Sequence, residues 1–316
     1  MYRKALVTGG AGFIGSHIVE ELINRNIEVI SIDDYSGGKR DNLEHLRKNH
    51  LLTEVNCDVT DYQQLREHFN DIDVVFHNAA SKKTVCLADP RRDLEVNAKG
   101  TFNVLELARD FGVKKVVHAS TGSVYGEAQY RPQDEVHPLL PTSYYGVSKL
   151  AGESYARAFA HLYELDVTVL RYFHVYGPRQ ESADDKGGVV AIFCRHVLAG
   201  LPLYIHGDGT QERSFTYVKD VVRANLIVAT CPGTQRQVYN CASGLKVTVQ
   251  QLADTVKRIC GASELEVRYD DWLPGDIKVF DIDNSKLQGL GLKNWTGLDE
   301  GLTETIDWYR HQVMDA

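Results

Sequence analysis

Short apolar runs alternate with helix-length amphipathic segments through the first 173 residues, and that rhythm admits few folds. "KALVTGG" (4–10), "IEVISIDD" (27–34), "DVVFHNAA" (73–80) and "VKKVVHAS" (113–120) are apolar, largely β-branched runs that read as buried strands. Between them, "GSHIVEELINRN" (15–26) and "NAKGTFNVLELARDFG" (97–112) carry apolar residues at helical spacing. "VTVLRYF" (167–173) is a further strand, preceded by a helix that begins near "YYGVSK" (144–149). Repeated strand-then-helix units predict an α/β, doubly wound parallel sheet with helices on both faces and ligands at the carboxyl ends of the strands. After residue 173 the rhythm loosens: "HVYGPRQESADDKGG" and "HGDGTQERS" read as loops flanking a helical "VVAIFCRHVLAG" (189–200). The division expected is a sheet domain over 1–173 and a smaller mixed α/β domain over 174–316. A strand near "QVYNCAS" (237–243) returns to the sheet.

Composition removes several classes of function. A net charge of −8 without basic runs argues against nucleic acid or an anionic membrane as the main partner. No apolar stretch reaches membrane-spanning length, and "MYRKALVTGG" runs into a strand rather than a signal peptide. The six cysteines form no CxxC pair, which predicts reduced structural thiols in a cytoplasmic protein. Metal catalysis finds no support, because the twelve histidines include neither HExxH nor a His/Cys cluster.

Two local patterns carry chemistry. "LVTGGAGFIGSH" (6–17) sets Gly9, Gly12 and Gly15 at three-residue spacing between a strand and a helix. Such glycines allow a tight turn and bring a helix N-terminus against a pyrophosphate. Asp33 closes the second strand 18 residues beyond Gly15, where a carboxylate accepts from both ribose hydroxyls of NAD and repels the 2′-phosphate of NADP. The basic pair Lys39–Arg40 close by is the feature that would suit NADP instead.

The second pattern is "SYYGVSK" (143–149). On a helix, Tyr145 and Lys149 lie about 40° apart around the axis, whereas Tyr144 points about 140° away from the lysine. Tyr145 and Lys149 therefore share a face and Tyr144 serves packing. A tyrosine base working near neutrality must be acidified from its usual pKa near 10, a change worth roughly 4 kcal/mol. A neighbouring ammonium and a positive nicotinamide are charges of the right sign to supply it.

These patterns stand within a wider likeness. "TGGAGFIGSH", "CDVTD" (57–61), "HNAA" (77–80), "STGSVYGE" (120–127), "YYGVSK", "RYFHVYGPRQ" (171–180), "RSFTYVKD" (213–220) and "PGD" (274–276) run nearly end to end. In them the chain resembles the extended short-chain dehydrogenase/reductases, in the branch of NAD-dependent nucleotide-sugar epimerases and dehydratases. The resemblance implies a Rossmann domain binding NAD through Gly9, Gly12, Phe13, Ile14, Gly15 and Asp33. It implies that Asp58 and Val59 border the adenine, and that Asn78, Ala79, Ala80 and Lys82 line the cofactor after the fourth strand. Asn97 matches a cofactor-side asparagine and Phe173 an aromatic beside the nicotinamide.

By the same likeness Tyr145 and Lys149 touch the cofactor as well as acting in catalysis, and Thr121 is the third catalytic residue, its hydroxyl holding the reacting sugar oxygen. Ser123, His174, Arg213 and Asp276 then face the nucleotide-sugar substrate, Arg213 at the diphosphate and Asp276 at the ribose. Dehydratases of the family carry an acid pair after the Thr and decarboxylases a Glu just before the Val; here "TGSVYG" offers Gly122 and Ser123. What remains is oxidation and reduction without an auxiliary acid, as in 4-epimerisation of a UDP-hexose through a transient 4-keto sugar. The alternatives are another outcome from the same intermediate, with Glu127 or His174 as acid, and a non-catalytic NAD-sensing scaffold. Two positions depart from the family: Leu273 replaces an arginine and His174 an asparagine, and Phe280 occupies a place that sets pocket size. Relatives pair through helices near 98–111 and 146–163, so a homodimer is expected.

Overall fold

The computed structural model of the protein describes residues 2–81, 86–181, 187–272 and 278–314. Seven parallel strands form its main sheet: β1 (Lys4–Thr8), β2 (Glu28–Asp33), β3 (Leu52–Asn56), β4 (Val74–His77), β5 (Lys115–Thr121), β6 (Val167–Tyr172) and β7 (Val238–Cys241). Their spatial order is β7-β6-β5-β4-β1-β2-β3, and every neighbouring pair runs parallel. Chain order reverses between β1 and β4, which opens a crevice at the carboxyl ends of those two strands. β1 stops at Thr8 because Gly9 takes a φ of +66° and turns the chain out of the sheet.

Helices follow as α1 (Phe13–Asn24), α2 (Pro90–Leu94), α3 (Thr101–Asp110), α4 (Tyr144–Leu162), α5 (Val189–Leu198), α6 (Val218–Thr230), α7 (Val249–Cys260) and α8 (Leu298–Met314), with shorter turns between. A π-helical turn over Glu95–Gly100 joins α2 to α3. Successive strand residues serve opposite faces, as a pleat requires. Ala5 and Val7 pack with α1 and α6 on one side, whereas Leu6 packs with α3 and α4 on the other. Both faces are apolar, which explains the unbroken apolar runs of these strands.

The sheet also contains two strands that are differently legible. β7 fits the strand expected near 237–243 and pairs with β6. β3 has no such apolar run in its sequence, LTEVN, because it is an edge strand with only partial cover. A separate apolar cluster joins α5, α7 and α8 with Phe215, Tyr217 and Val247. Short paired strands, Leu203–His206 with Val267–Asp270 and Glu212–Arg213 with Val247–Thr248, brace this part. Among the described residues no helix is long and apolar enough to cross a membrane.

Candidate active site

The crevice at the switch point is one wall of a cleft of about 1310 Å³. Its floor is the glycine turn. A Cβ on Gly9 would stand 2.8 Å from the Ala79 backbone nitrogen, and one on Gly15 would stand 2.0 Å from the Gly9 carbonyl oxygen. Glycine therefore lets the turn sit against the β4 exit and lets α1 start directly on the turn. Among the described residues no side chain caps α1, whose first residues Phe13 and Ile14 line the cleft, so its opening amides suit a pyrophosphate. At the end of β2, the Asp33 carboxylate accepts from the Ala11 nitrogen at 3.0 Å and from the Tyr35 nitrogen at 2.8 Å. Burial pushes its carboxyl above the ordinary range, with those amides pulling back. Arg40 lies over the Tyr35 ring at 3.9 Å, and Lys39 lines the cleft.

The opposite rim holds Thr121, Tyr145 and Lys149 together. Ser143 caps α4 by accepting from the Gly146 nitrogen at 3.1 Å, which places Tyr145 and Lys149 in its first two turns. A Cβ on Gly146 would come within 2.6 Å of the Ser123 carbonyl oxygen, so the helix start rests on the turn after β5. Lys149 is 2% exposed, and its Nζ donates to the Ala119 carbonyl at 2.5 Å. Burial lowers its pKa to about 8, against the pull of the Asp93 and Glu153 carboxylates. Burial pushes the Tyr145 phenol up to about 12, while a hydrogen bond with Thr121 acts in the other direction. Tyr144 is 59% exposed and takes no part.

Behind the rim, α4 is tied to the sheet by a buried ion pair between Glu153 and Arg171. Arg171 Nε meets Glu153 Oε2 at 3.1 Å, the Ser120 hydroxyl donates to the same oxygen at 3.0 Å, and Arg171 Nη1 donates to the Tyr125 hydroxyl at 2.8 Å.

Of the residues singled out in the sequence, Gly9, Gly12, Phe13, Ile14, Gly15 and Asp33 line the cleft, as do Asp58, Val59, Asn78, Ala79, Ala80 and His174. Asn97 does not face it. Its amide nitrogen donates to Asp93 Oδ1 at 2.9 Å and Ser148 Oγ at 3.0 Å, and its oxygen accepts from the Ser81 nitrogen at 2.9 Å. The π-turn aims that side chain inward, where it knits α2 to α4. Phe173 also turns away, stacked on Tyr125 at 6.1 Å between ring centroids and closing against Gly122. The pleat gives the cleft Tyr172 and His174 instead. Ser123 accepts from the Thr121 hydroxyl at 3.3 Å and thus supports its neighbour.

Arg213 is nearly buried, with its guanidinium 5.2 Å from the Phe280 ring centroid; Phe280 in turn meets His174 edge-on at 4.6 Å. That aromatic step connects Arg213 to the cleft wall. Lys82, Asp276 and Leu273 lie outside the described residues. Among the cleft residues that the sequence does not single out are Tyr172 and Arg92. The first was discoverable from strand alternation; Arg92 had no local signal, since its partners are distant in sequence. No group of three metal-ligating side chains occurs among the described residues.

A parallel sheet with a glycine turn at its switch point, facing a Tyr–Lys helix, defines the short-chain dehydrogenase/reductase class. The chain belongs to the NAD dependent epimerase/dehydratase family, whose model matches residues 5–242. It is 39% identical over 310 residues to a candidate UDP-glucose 4-epimerase of Methanocaldococcus jannaschii, covering 97% of this chain and 98% of that protein. The crystal structure of UDP-glucose 4-epimerase with UDP-glucose from Thermotoga maritima superposes with a TM-score of 0.92 at 37% identity, over 98% of this chain and 99% of the other. The UDP-N-acetylglucosamine 4-epimerase of Methanobrevibacter ruminantium, in complex with UDP-N-acetylmuramic acid, gives 0.93 at 35% identity over 98% and 99%.

Proposed function

We propose that this protein is an NAD-dependent UDP-hexose 4-epimerase. The observation that carries this reading is the composition of the catalytic rim: Thr121, Tyr145 and Lys149 converge on the cleft, and the residues after Thr121 are Gly122 and Ser123. Bound NAD supplies the oxidising and then the reducing equivalent at one sugar carbon. Tyr145 takes the proton of the sugar hydroxyl and later returns it. Lys149, held by the Ala119 carbonyl beneath the rim, keeps a positive charge near the phenolate that forms. Thr121 holds the reacting oxygen within reach of Tyr145. Dehydration or decarboxylation would call for an acid between Thr121 and Val124, and that turn carries none.

The supporting division of labour gives the cofactor to residues 1–173 with β7, and the nucleotide sugar to residues 174–316, where Arg213 and His174 approach the cleft through Phe280. Six free thiols suit a reducing cytoplasm. A homodimer through α3 and α4 is part of the same reading. Tyr144, Val147 and Tyr155 stand 59%, 54% and 43% exposed on α4, an apolar surface that a second copy would cover. Sedimentation giving a species of twice the chain mass supports it, and a monomer at all concentrations rejects it.

Incubation with UDP-glucose, followed by NMR, tests the activity. UDP-galactose should form without net NADH absorbance. A dehydrated, decarboxylated or reduced sugar would move the protein to another branch of the family.

A further inference from the structure

Helix α2 sends Arg92 towards the cofactor cleft from beyond β4. Its Nη1 lies 2.8 Å from Asp58 Oδ2 and its Nη2 2.8 Å from Asp34 Oδ2. Asp34 directly follows β2, and Asp58 lies just past β3. One guanidinium thus spans the carboxyl ends of two adjacent strands, reached from a third segment of the chain. All three residues line the cleft, and their side chains are 27% to 30% exposed.

A bridge of this kind is more than an ordinary surface ion pair. The adenosine half of a dinucleotide lies over the ends of β1, β2 and β3, with its ribose at the carboxylate closing β2. Asp33 is that carboxylate here and Asp58 lines the same cleft past β3, so a ribose held at Asp33 would direct the adenine towards Asp58. Two carboxylates take the Nη edges of Arg92, which leaves the flat faces of the guanidinium for a ring. A guanidinium face is a favourable partner for a π-system, and a planar fork held at both tips has little freedom left to lose. The bridge also offsets part of the negative charge that Asp33, Asp34 and Asp58 bring to this end of the cleft.

We propose that Arg92 is a cofactor-retaining residue: fixed by Asp34 and Asp58, its guanidinium covers the adenine of the bound dinucleotide and slows its release. This rests on NAD being the cofactor, and adds a residue and a kinetic role to that reading. An enzyme that finishes each turnover with its cofactor back in the starting state gains from never letting it go. The bridge supplies a hold at the end of the molecule farthest from the chemistry.

The test follows release of NAD+ from the loaded full-length protein after rapid desalting, for wild type and Arg92→Met. The variant should release NAD+ about tenfold faster, the difference lying in the off-rate. Arg92→Lys should resemble the Met variant, because a single ammonium cannot span both carboxylates. Binding of AMP should weaken by the same factor as NAD+, and binding of nicotinamide mononucleotide should not change. Wild-type release should also quicken with salt, which screens a partly exposed bridge, and the Met variant should lose that dependence. Equal retention in wild type and Arg92→Met overturns the proposal alone, as does equal weakening of AMP and nicotinamide mononucleotide, which would signal general distortion. A wild-type protein that takes up no NAD+ overturns the cofactor reading together with the proposal.

Discussion

At the scale of single residues, the protein environment of Tyr145 by itself works against the proposed role. Burial raises the phenol to about 12, and the same burial lowers Lys149 to about 8. Near neutrality the protein's own groups thus give a neutral tyrosine and a lysine still largely protonated, and the rest of the activation must come from positive charge such as that of an oxidised nicotinamide. Loss of the base is expected to be severe: Tyr145→Phe should lower kcat by roughly 10²–10⁴-fold while NAD stays bound. Activity is lost as pH falls through the phenol's pKa in the loaded enzyme. Removing the ammonium raises that pKa, so Lys149→Met should move the acid limb of the pH–rate profile upward. A profile that stays in place after Lys149→Met would detach the lysine from the base.

At the scale of elements, the question is what keeps α4 in register so that its first two turns meet the cleft. Glu153 is fully buried on α4, and Arg171 is 1% exposed on β6. Replacing Glu153 by Gln leaves the guanidinium in the interior without a charge partner, a change that typically costs about 3–5 kcal/mol. Urea denaturation of Glu153→Gln should show a loss of that order; a loss below about 1 kcal/mol would mean that Tyr125 and the Glu135 carbonyl suffice for Arg171. The fold is largely legible in the sequence, and parts of the site are not. Strands buried on both faces announce themselves as apolar runs, and the YxxxK spacing fixes two side chains on one helix face whatever surrounds them. β3 carries no such run, because an edge strand is half in solvent. Likeness points Asn97 and Phe173 to the cofactor, yet a π-turn and a one-residue pleat phase decide where they point. Arg92 depends on Asp34 and Asp58, which lie 58 and 34 positions earlier, and only the folded sheet brings them together.

At the scale of the whole molecule, the sheet's interior sets a limit on acid tolerance. His77 and His118 stack at 5.3 Å between β4 and β5, both shielded from water. His77 is paired with the Thr8 and Thr101 hydroxyls, whereas neither ring nitrogen of His118 has a hydrogen-bond partner among the described residues. Burial holds His77 at about 3 and His118 well below its ordinary value, and the Lys149 charge acts on both in the same direction. His17 follows at about 4, again mainly through burial. Unfolding frees all three to bind protons near the ordinary histidine value of about 6.5, so the unfolded chain takes up more protons than the native one. Stability is then full above that value and falls as pH drops towards 4 and 3. The limiting slope for three protons is roughly 4 kcal/mol per pH unit. Asp33, Asp93 and Glu135, whose carboxyls burial raises, oppose part of this loss at the lower end, because the native state holds their protons more tightly. Denaturation midpoints should therefore drop markedly from pH 7.5 to pH 5. His118→Phe keeps a flat ring against His77 and removes a buried polar group that has no partner, so it should match or exceed wild-type stability at pH 7.5. It should also lose less on acidification. Identical pH dependence in wild type and His118→Phe would show that the acid sensitivity has its source elsewhere in the chain.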